Sequence, residues 1–158
     1  MGMTTFTYSH SDADLVNQPI GYWSSAAGTA VVHHIRTHLA ELGLTQPQWW
    51  VMGQLHDAPE GGRGRDEVVG VLRGYLDTGD GALLHNISAL HDRGLITEDT
   101  AGRIALTDEG RALRERAAER QQQIRAEIHE GITEEEYVLT LKVLQRMIHN
   151  VGGAAWHH

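Results

Sequence analysis

Apolar residues recur at steps of three or four along most of the chain, and this is the period of amphipathic helices. The first stripe follows Asn17 and stops at Gly43. Its apolar positions are Ile20, Trp23, Ala27, Val31, Ile35, Leu39 and Leu42. Similar stripes predict three further helices over residues 46–57, 66–76 and 82–92.

The period changes after the fourth helix. Leu95–Glu98 and Arg103–Thr107 are short β-prone runs joined by a turn, and this order is typical of a small hairpin. Thr107 then caps a fifth helix over residues 108–130, and a sixth helix follows. The pattern therefore predicts a mainly α fold with six helices and one β-hairpin.

The sixth helix starts at a capping-box pattern, Thr133 with Glu136, and carries an apolar seam. The seam consists of Tyr137, Leu141, Leu144, Ile148 and Val151. An apolar stripe of this width is seldom left in water. It packs either within its own chain or against a second copy, and we expect the second copy.

Composition fits one globular domain over residues 1–158, with residues 1–16 and 152–158 as loose arms. Apolar residues make up 41% of the chain and charged residues 22%, and there is no cysteine, which excludes disulfides and thiolate metal sites. No long apolar run and no signal-peptide order occur, so we expect a cytoplasmic protein without a membrane partner. No catalytic motif is present, so we expect neither an enzyme nor a cofactor.

Two motifs resemble the MarR family of transcriptional regulators. The order of short helices, turn, helix and hairpin is that of a winged helix-turn-helix. Within it, HDRGLI at 91–96 and LTDEGRAL at 106–113 look like the end of that family's recognition helix and the start of its post-wing helix. LTQPQW at 44–49 is similar to the start of the family's second helix.

The resemblance implies a homodimer built from residues 17–44 and 108–151, with Ile20 and Trp23 joining the seam in the interface. It implies that residues 45–107 form a winged helix-turn-helix lobe that binds double-stranded DNA. It further implies a transcriptional regulator, a repressor relieved by a small ligand.

The expected DNA contacts follow from the chemistry of this lobe. Arg63, Arg65 and Arg73 would hold phosphates, and Arg103 would enter a minor groove. His85 and Asn86 lie opposite the apolar positions of the fourth helix and would contact bases. The net charge of −8 opposes this, and residues 60–110 hold ten acidic groups against five arginines. The alternative is a winged-helix ligand or metal sensor, or an interaction module, that binds DNA weakly or not at all.

Two other groups of residues suggest ligands. His34, His38 and Glu41 share one face of the first helix, as helix-borne metal ligands do, although polar residues lining a junction would show the same spacing. Trp23, Trp49 and Trp50 offer surface for a small aromatic ligand, although tryptophans at helical spacing usually belong to a core.

Overall fold

The structure is a computed structural model, which describes residues 5–74 and 79–155. The described residues form seven helices and three strands, so the prediction of a mainly α winged helix-turn-helix is confirmed. In chain order the elements are α1 Asp12–Leu15, α2 Ile20–Glu41, α3 Gln46–His56, β1 Arg63–Gly64, α4 Arg65–Leu72, α5 Asp80–Asp92, β2 Ile96–Glu98, β3 Arg103–Leu106, α6 Asp108–Ile128 and α7 Glu134–Asn150.

Two small elements differ from the sequence-based prediction. Ser11 caps a single helical turn, α1, inside the segment expected to be a loose arm, and its Oγ accepts from the backbone N–H of Asp14 at 3.3 Å. Arg63–Gly64, expected to be part of a glycine-rich connection, pairs with β3 as the third strand of the sheet. The predicted end of the third helix, residues 75–76, lies outside the described residues.

The chain divides into two compact units, residues 1–33 and residues 34–158, and the boundary falls inside α2. In the first unit, Trp23 Nε1 donates to Gln18 Oε1 at 3.4 Å, and the Trp23 ring meets Tyr22 edge-on at 5.3 Å between centroids. Every α2 residue from 20 to 30 is exposed.

The second unit is organised around one apolar core. Helices α3, α4 and α5 each bury one face there, and the predicted inner face of α5, Leu83, Ile87 and Leu90, is fully buried. The antiparallel sheet, in the order β1-β3-β2, contributes Ile96, Ile104 and Leu106 to the same core. Burial of these side chains is the main stabilising contribution to the lobe.

The two motifs that prompted the resemblance meet at one junction. Gly94 ends α5 in the left-handed region, at φ +73°, where other residues are strained. The Thr107 hydroxyl donates to the Gly94 carbonyl at 2.7 Å and accepts from the Gly110 N–H at 3.0 Å. A Cβ on Gly110 would collide with the Leu95 carbonyl, so the motif requires glycine there. These contacts join the end of α5 to the start of α6.

Among the described helices longer than one turn, α7 alone buries no side chain. Its predicted capping box is present, with reciprocal bonds between Thr133 and Glu136. Tyr137, Leu144 and Ile148 are half-buried, and Leu141 is 40% exposed. The seam is therefore left largely open in a single chain. No helix among residues 5–74 and 79–155 is long and apolar enough to cross a membrane.

Candidate nucleic-acid interface

Helix α5 presents one polar face to solvent. Gly79 is the N-cap residue of α5, so no side chain caps the helix. Asp80 lies in its first turn. Opposite the buried Leu83 and Ile87, the side chains of His85 and Ser88 are exposed. Ser88 was missed by the sequence analysis, although its place one turn after Leu84 and His85 would have indicated it. Imidazole and hydroxyl groups can both hydrogen-bond base edges.

Asn86 lies on α5 but is bonded within the protein. Its Nδ2 donates to the Ala82 carbonyl at 2.9 Å, and its Oδ1 accepts from the Thr45 hydroxyl at 3.2 Å. Thr45 caps α3, so Asn86 ties α5 to the start of that helix. A base contact by Asn86 would require one of these bonds to break.

The arginines expected to hold phosphates are each paired with a carboxylate. Arg63 Nη1 lies 3.5 Å from Glu67 Oε1, and Arg65 Nη2 lies 2.6 Å from Glu98 Oε2. Some of the excess carboxylates of the lobe therefore lie directly beside the arginines that were expected to bind phosphate. Because each pair is at least partly exposed to water, the pair is weak and can be exchanged for another anion.

Arg73 makes the most complete of these pairs. Its Nε and Nη2 donate to the two carboxylate oxygens of Asp80 at 2.9 and 2.6 Å. The hydrogen bonds and the charge of Asp80 raise the pKa of Arg73 above its usual value. Since Asp80 lies in the first turn of α5, this pair links the end of α4 to the start of α5.

Arg103, the residue expected to enter a minor groove, is exposed at the start of β3. The side-chain Nη2 of Arg103 donates to the Gly62 carbonyl at 2.9 Å, and the backbone N–H of Arg103 donates to Asp99 Oδ1 at 2.9 Å. The guanidinium therefore supports the pairing of β1 with β3. Arg103 keeps the remaining guanidinium N–H groups for other contacts.

The comparisons with known proteins bear on the fold. No protein-family model matches the chain. A MarR family regulator from Silicibacter pomeroyi superposes with a TM-score of 0.68 at 20% identity, covering 90% of this chain and 99% of that one. The chain has a MarR-like winged-helix fold. A MarR family protein from Mycobacterium tuberculosis in complex with DNA has a TM-score of 0.65 at 22% identity, covering 82% of this chain and 98% of that one.

A third structure with the MarR-like fold has a ligand. It is CouR from Rhodococcus jostii RHA1 bound to p-coumaroyl-CoA, with a TM-score of 0.65 at 26% identity, and the match covers 83% of this chain and 92% of that one. Two of the similar structures, from Silicibacter pomeroyi and Rhodococcus sp. RHA1, are MarR family transcriptional regulators. In this chain the helix-turn-helix of the MarR-like fold is α4 and α5, and the wing is the sheet β1-β3-β2.

The tryptophans expected to line a ligand site fall in different places. Trp49 and Trp50 are half-buried and pack against the core, and the Arg114 guanidinium lies 5.5 Å from the centre of the Trp49 ring. Trp23 belongs to the other unit of the chain. A cleft of about 170 Å³ beside β1 is lined by other residues, among them Leu55, Pro59, Gly62, Ala105 and Arg111.

The histidines expected to bind metal lie close together, but with a different carboxylate. One ligand atom from each of His34, His38 and Glu127 lies within 4.8 Å of the others. Glu127 is on α6, so sequence spacing gave no signal for it. The predicted third residue, Glu41, contacts His38 at 3.3 Å between Oε1 and Nδ1. A hydrogen bond with His34 lowers the pKa of Glu127 below its usual value, and Arg120 lowers it further.

Proposed function

We propose that the protein is a DNA-binding transcriptional regulator that acts as a homodimer, and as a repressor released from DNA by a small ligand. The observation that carries the proposal is the exposed polar face of α5, held in a fold similar to that of a MarR family protein in complex with DNA. A helix in this position enters the major groove. We assign the base contacts to His85 and Ser88, with Asn86 as a further base contact once its internal bonds are exchanged.

The phosphate contacts are assigned to the arginines around this helix. Arg63, Arg65 and Arg73 would each exchange a carboxylate for a phosphate, and Arg103 would enter the minor groove. The displaced carboxylates stay near the DNA and oppose its charge, so they lower the affinity. Binding that relies on arginine–phosphate contacts also weakens steeply with salt, because condensed counterions are released.

The homodimer is inferred from apolar surface left uncovered in one chain. Helix α7 buries no side chain, and Leu141 and Met147 are each 40% exposed. On α2, Ile20 and Trp23 are 48% and 40% exposed. A second copy is the occupant we propose, because a seam of uncharged residues at steps of three and four is self-complementary about a two-fold axis. Residues 17–44 and 108–151 are then the dimerisation segments, and residues 45–107 the DNA-binding lobe.

The decisive experiment is a DNA-binding measurement. Duplexes selected from a random pool would be titrated with the full chain by fluorescence anisotropy. Three arginine contacts per protomer make six per dimer, so raising salt from about 50 to about 200 mM should weaken binding about 10³-fold. The triple variant Arg63→Gln, Arg65→Gln, Arg73→Gln should lose binding, and Arg116→Gln on α6 should not. Absence of any binding at the lower salt concentration would contradict the proposal.

A second candidate function is favoured by the arginine–carboxylate pairs. If these pairs persist, the lobe offers little positive charge to DNA, and the protein is a winged-helix sensor or interaction module with weak or no DNA binding. The two functions differ in the response to Glu67→Gln, Asp80→Asn and Glu98→Gln together. A regulator should bind its selected duplex more tightly after this change, whereas an interaction module should select no duplex from the wild-type experiment at all.

The released state would be tested with small aromatic acids, because Trp49 and Trp50 form a half-buried aromatic surface. Added benzoic or cinnamic acid should lower the anisotropy of the protein–DNA complex, while cyclohexanecarboxylic acid should not. The same proposal assigns the protein no catalytic activity and a cytoplasmic location, where it meets DNA.

A further inference from the structure

We infer that His34, His38 and Glu127 form a binding site for a divalent transition metal ion, of which Zn²⁺ is the best match. This site goes beyond the proposed regulator function and does not rest on it. Two imidazoles and one carboxylate are a ligand set that zinc takes in proteins, with water in the fourth position. Mg²⁺ and Ca²⁺ prefer oxygen ligands, so a site with two histidines suits them poorly.

The backbone already brings the three side chains together. His34 and His38 lie one turn apart on α2, and their rings meet edge-on with 4.5 Å between centroids. Glu127 approaches from α6, with Oε2 at 2.8 Å from His34 Nε2. Zinc holds ligands at about 2.0–2.2 Å, so ligand atoms around one ion lie roughly 3.4 Å apart. Ligand atoms within 4.8 Å of one another therefore reach this geometry by small side-chain rotations.

The contact with Arg120 shows that His38 Nδ1 accepts a hydrogen bond. Arg120 Nη2 lies 2.7 Å from His38 Nδ1, and a guanidinium can only donate. Nδ1 must therefore accept, so His38 presents a lone pair, as a metal ligand must. The Glu127 carboxylate likewise receives Arg120 Nη1 at 3.4 Å.

Arg120 thus occupies the position of a cation between an imidazole and a carboxylate. A metal ion bound there replaces the guanidinium as the positive charge. Arg120 would keep one hydrogen bond after a metal ion displaced it from His38 and Glu127, because its Nη1 also donates to Gln123 Oε1 at 3.0 Å. Metal binding and the Arg120 contact are therefore competitors for the same two groups.

Exposure makes the site accessible. The side chains of His34, His38 and Glu127 are 37%, 20% and 49% exposed, so an ion can enter from solvent and retain a water ligand. An open site of this kind exchanges its ion, unlike the closed four-ligand sites that hold structural zinc. Since the ligands come from α2 and α6, occupancy would fasten the end of α2 to α6.

The test is a metal titration of the full chain purified without an affinity tag. The background would carry His157→Ala and His158→Ala, because adjacent imidazoles at a chain end also chelate metal. Zn²⁺ would be titrated against a chromophoric chelator, and Co²⁺ would be followed by its visible absorption, which reports four-coordinate geometry. We expect one ion per chain in both titrations.

The variants separate ligands from neighbours. His34→Gln, His38→Gln and Glu127→Gln should each weaken Zn²⁺ binding by about 100-fold or more, since even outer-shell partners cost about 10–100-fold. Glu41→Gln should weaken it less than Glu127→Gln. Glu119→Gln, which removes the same charge from an exposed position on α6, should leave it unchanged.

Arg120→Gln provides a test in the opposite direction, which loss of folding cannot imitate. Removing the competing cation should tighten Zn²⁺ binding, by about 10-fold, because the ion no longer displaces a charge-assisted hydrogen bond. Binding that is absent, that is unaffected by His34→Gln and Glu127→Gln, or that is weakened by Arg120→Gln would overturn the proposal.

Discussion

The hydroxyl of Thr107 should contribute measurably to stability, because it joins the two motifs at the end of α5 and the start of α6. Thr107→Val keeps the branched shape and removes the hydroxyl. It loses the bond from the Gly110 N–H at 3.0 Å and the bond to the Gly94 carbonyl at 2.7 Å. Gly110 is buried, so its N–H cannot turn to water, whereas Gly94 is exposed and its carbonyl can be rehydrated.

These two losses differ in size. The lost helix cap should cost about 1–2 kcal/mol, toward the upper part of the range for such caps. The rehydrated carbonyl should cost about 0.5 kcal/mol, at the low end for a hydrogen bond. The total of about 1.5–2.5 kcal/mol corresponds to a fall in Tm of roughly 3–10 °C for a chain of this length.

Urea unfolding followed by circular dichroism would measure the change, with all proteins at one protomer concentration because a dimer's stability depends on it. Thr107→Ser retains the hydroxyl and should unfold within about 0.5 kcal/mol of the wild type, as most mild substitutions do. Equal losses in the valine and serine variants, or a valine variant as stable as the wild type, would refute the reasoning.

Three single substitutions would test the Arg73 pair, the seam of α7 and the junction at Gly110. Asp80→Asn removes the carboxylate that Arg73 must exchange for a phosphate, so it should tighten DNA binding of the dimer by about 2- to 30-fold, the range expected when two exposed ion pairs no longer have to be broken. Asp92→Asn at the other end of α5 should leave the affinity unchanged, and an unchanged affinity in Asp80→Asn would contradict the role of Arg73. Leu141→Glu should shift the mass measured by light scattering from dimer to monomer, whereas Arg146→Glu on the opposite face of α7 should not. If both variants were dimers, the seam would not be part of the interface. Gly110→Ala should destabilise the protein by about 1–3 kcal/mol, because the new Cβ collides with the Leu95 carbonyl. Gly53→Ala, whose new Cβ meets nothing within 4 Å, should stabilise it by about 0.5–1 kcal/mol, and a Gly110 variant more stable than the Gly53 variant would show that the helix junction tolerates a side chain.

Local patterns in the sequence determined most of the fold, because helices and caps depend on residues three or four positions apart. The apolar period predicted the long helices to within a few residues, and Thr107 and Thr133 cap the helices that they were expected to cap. The motif residues around Gly94 and Gly110 pointed to the MarR-like fold because both positions are under steric constraint. Strand β1 escaped prediction because two residues carry no period and pair only with the distant β3.

Tertiary structure alone decided which partners the candidate site residues have. Charge counting showed an acidic lobe, but only the fold places Glu98 against Arg65, a carboxylate 33 residues away. Helical spacing placed His34 and His38 side by side and added Glu41, which shares their helix. The carboxylate that completes the group is Glu127, 93 residues from His34 and brought there by the packing of α6. Spacing along one helix is readable from sequence, whereas the approach of two helices depends on the whole core between them.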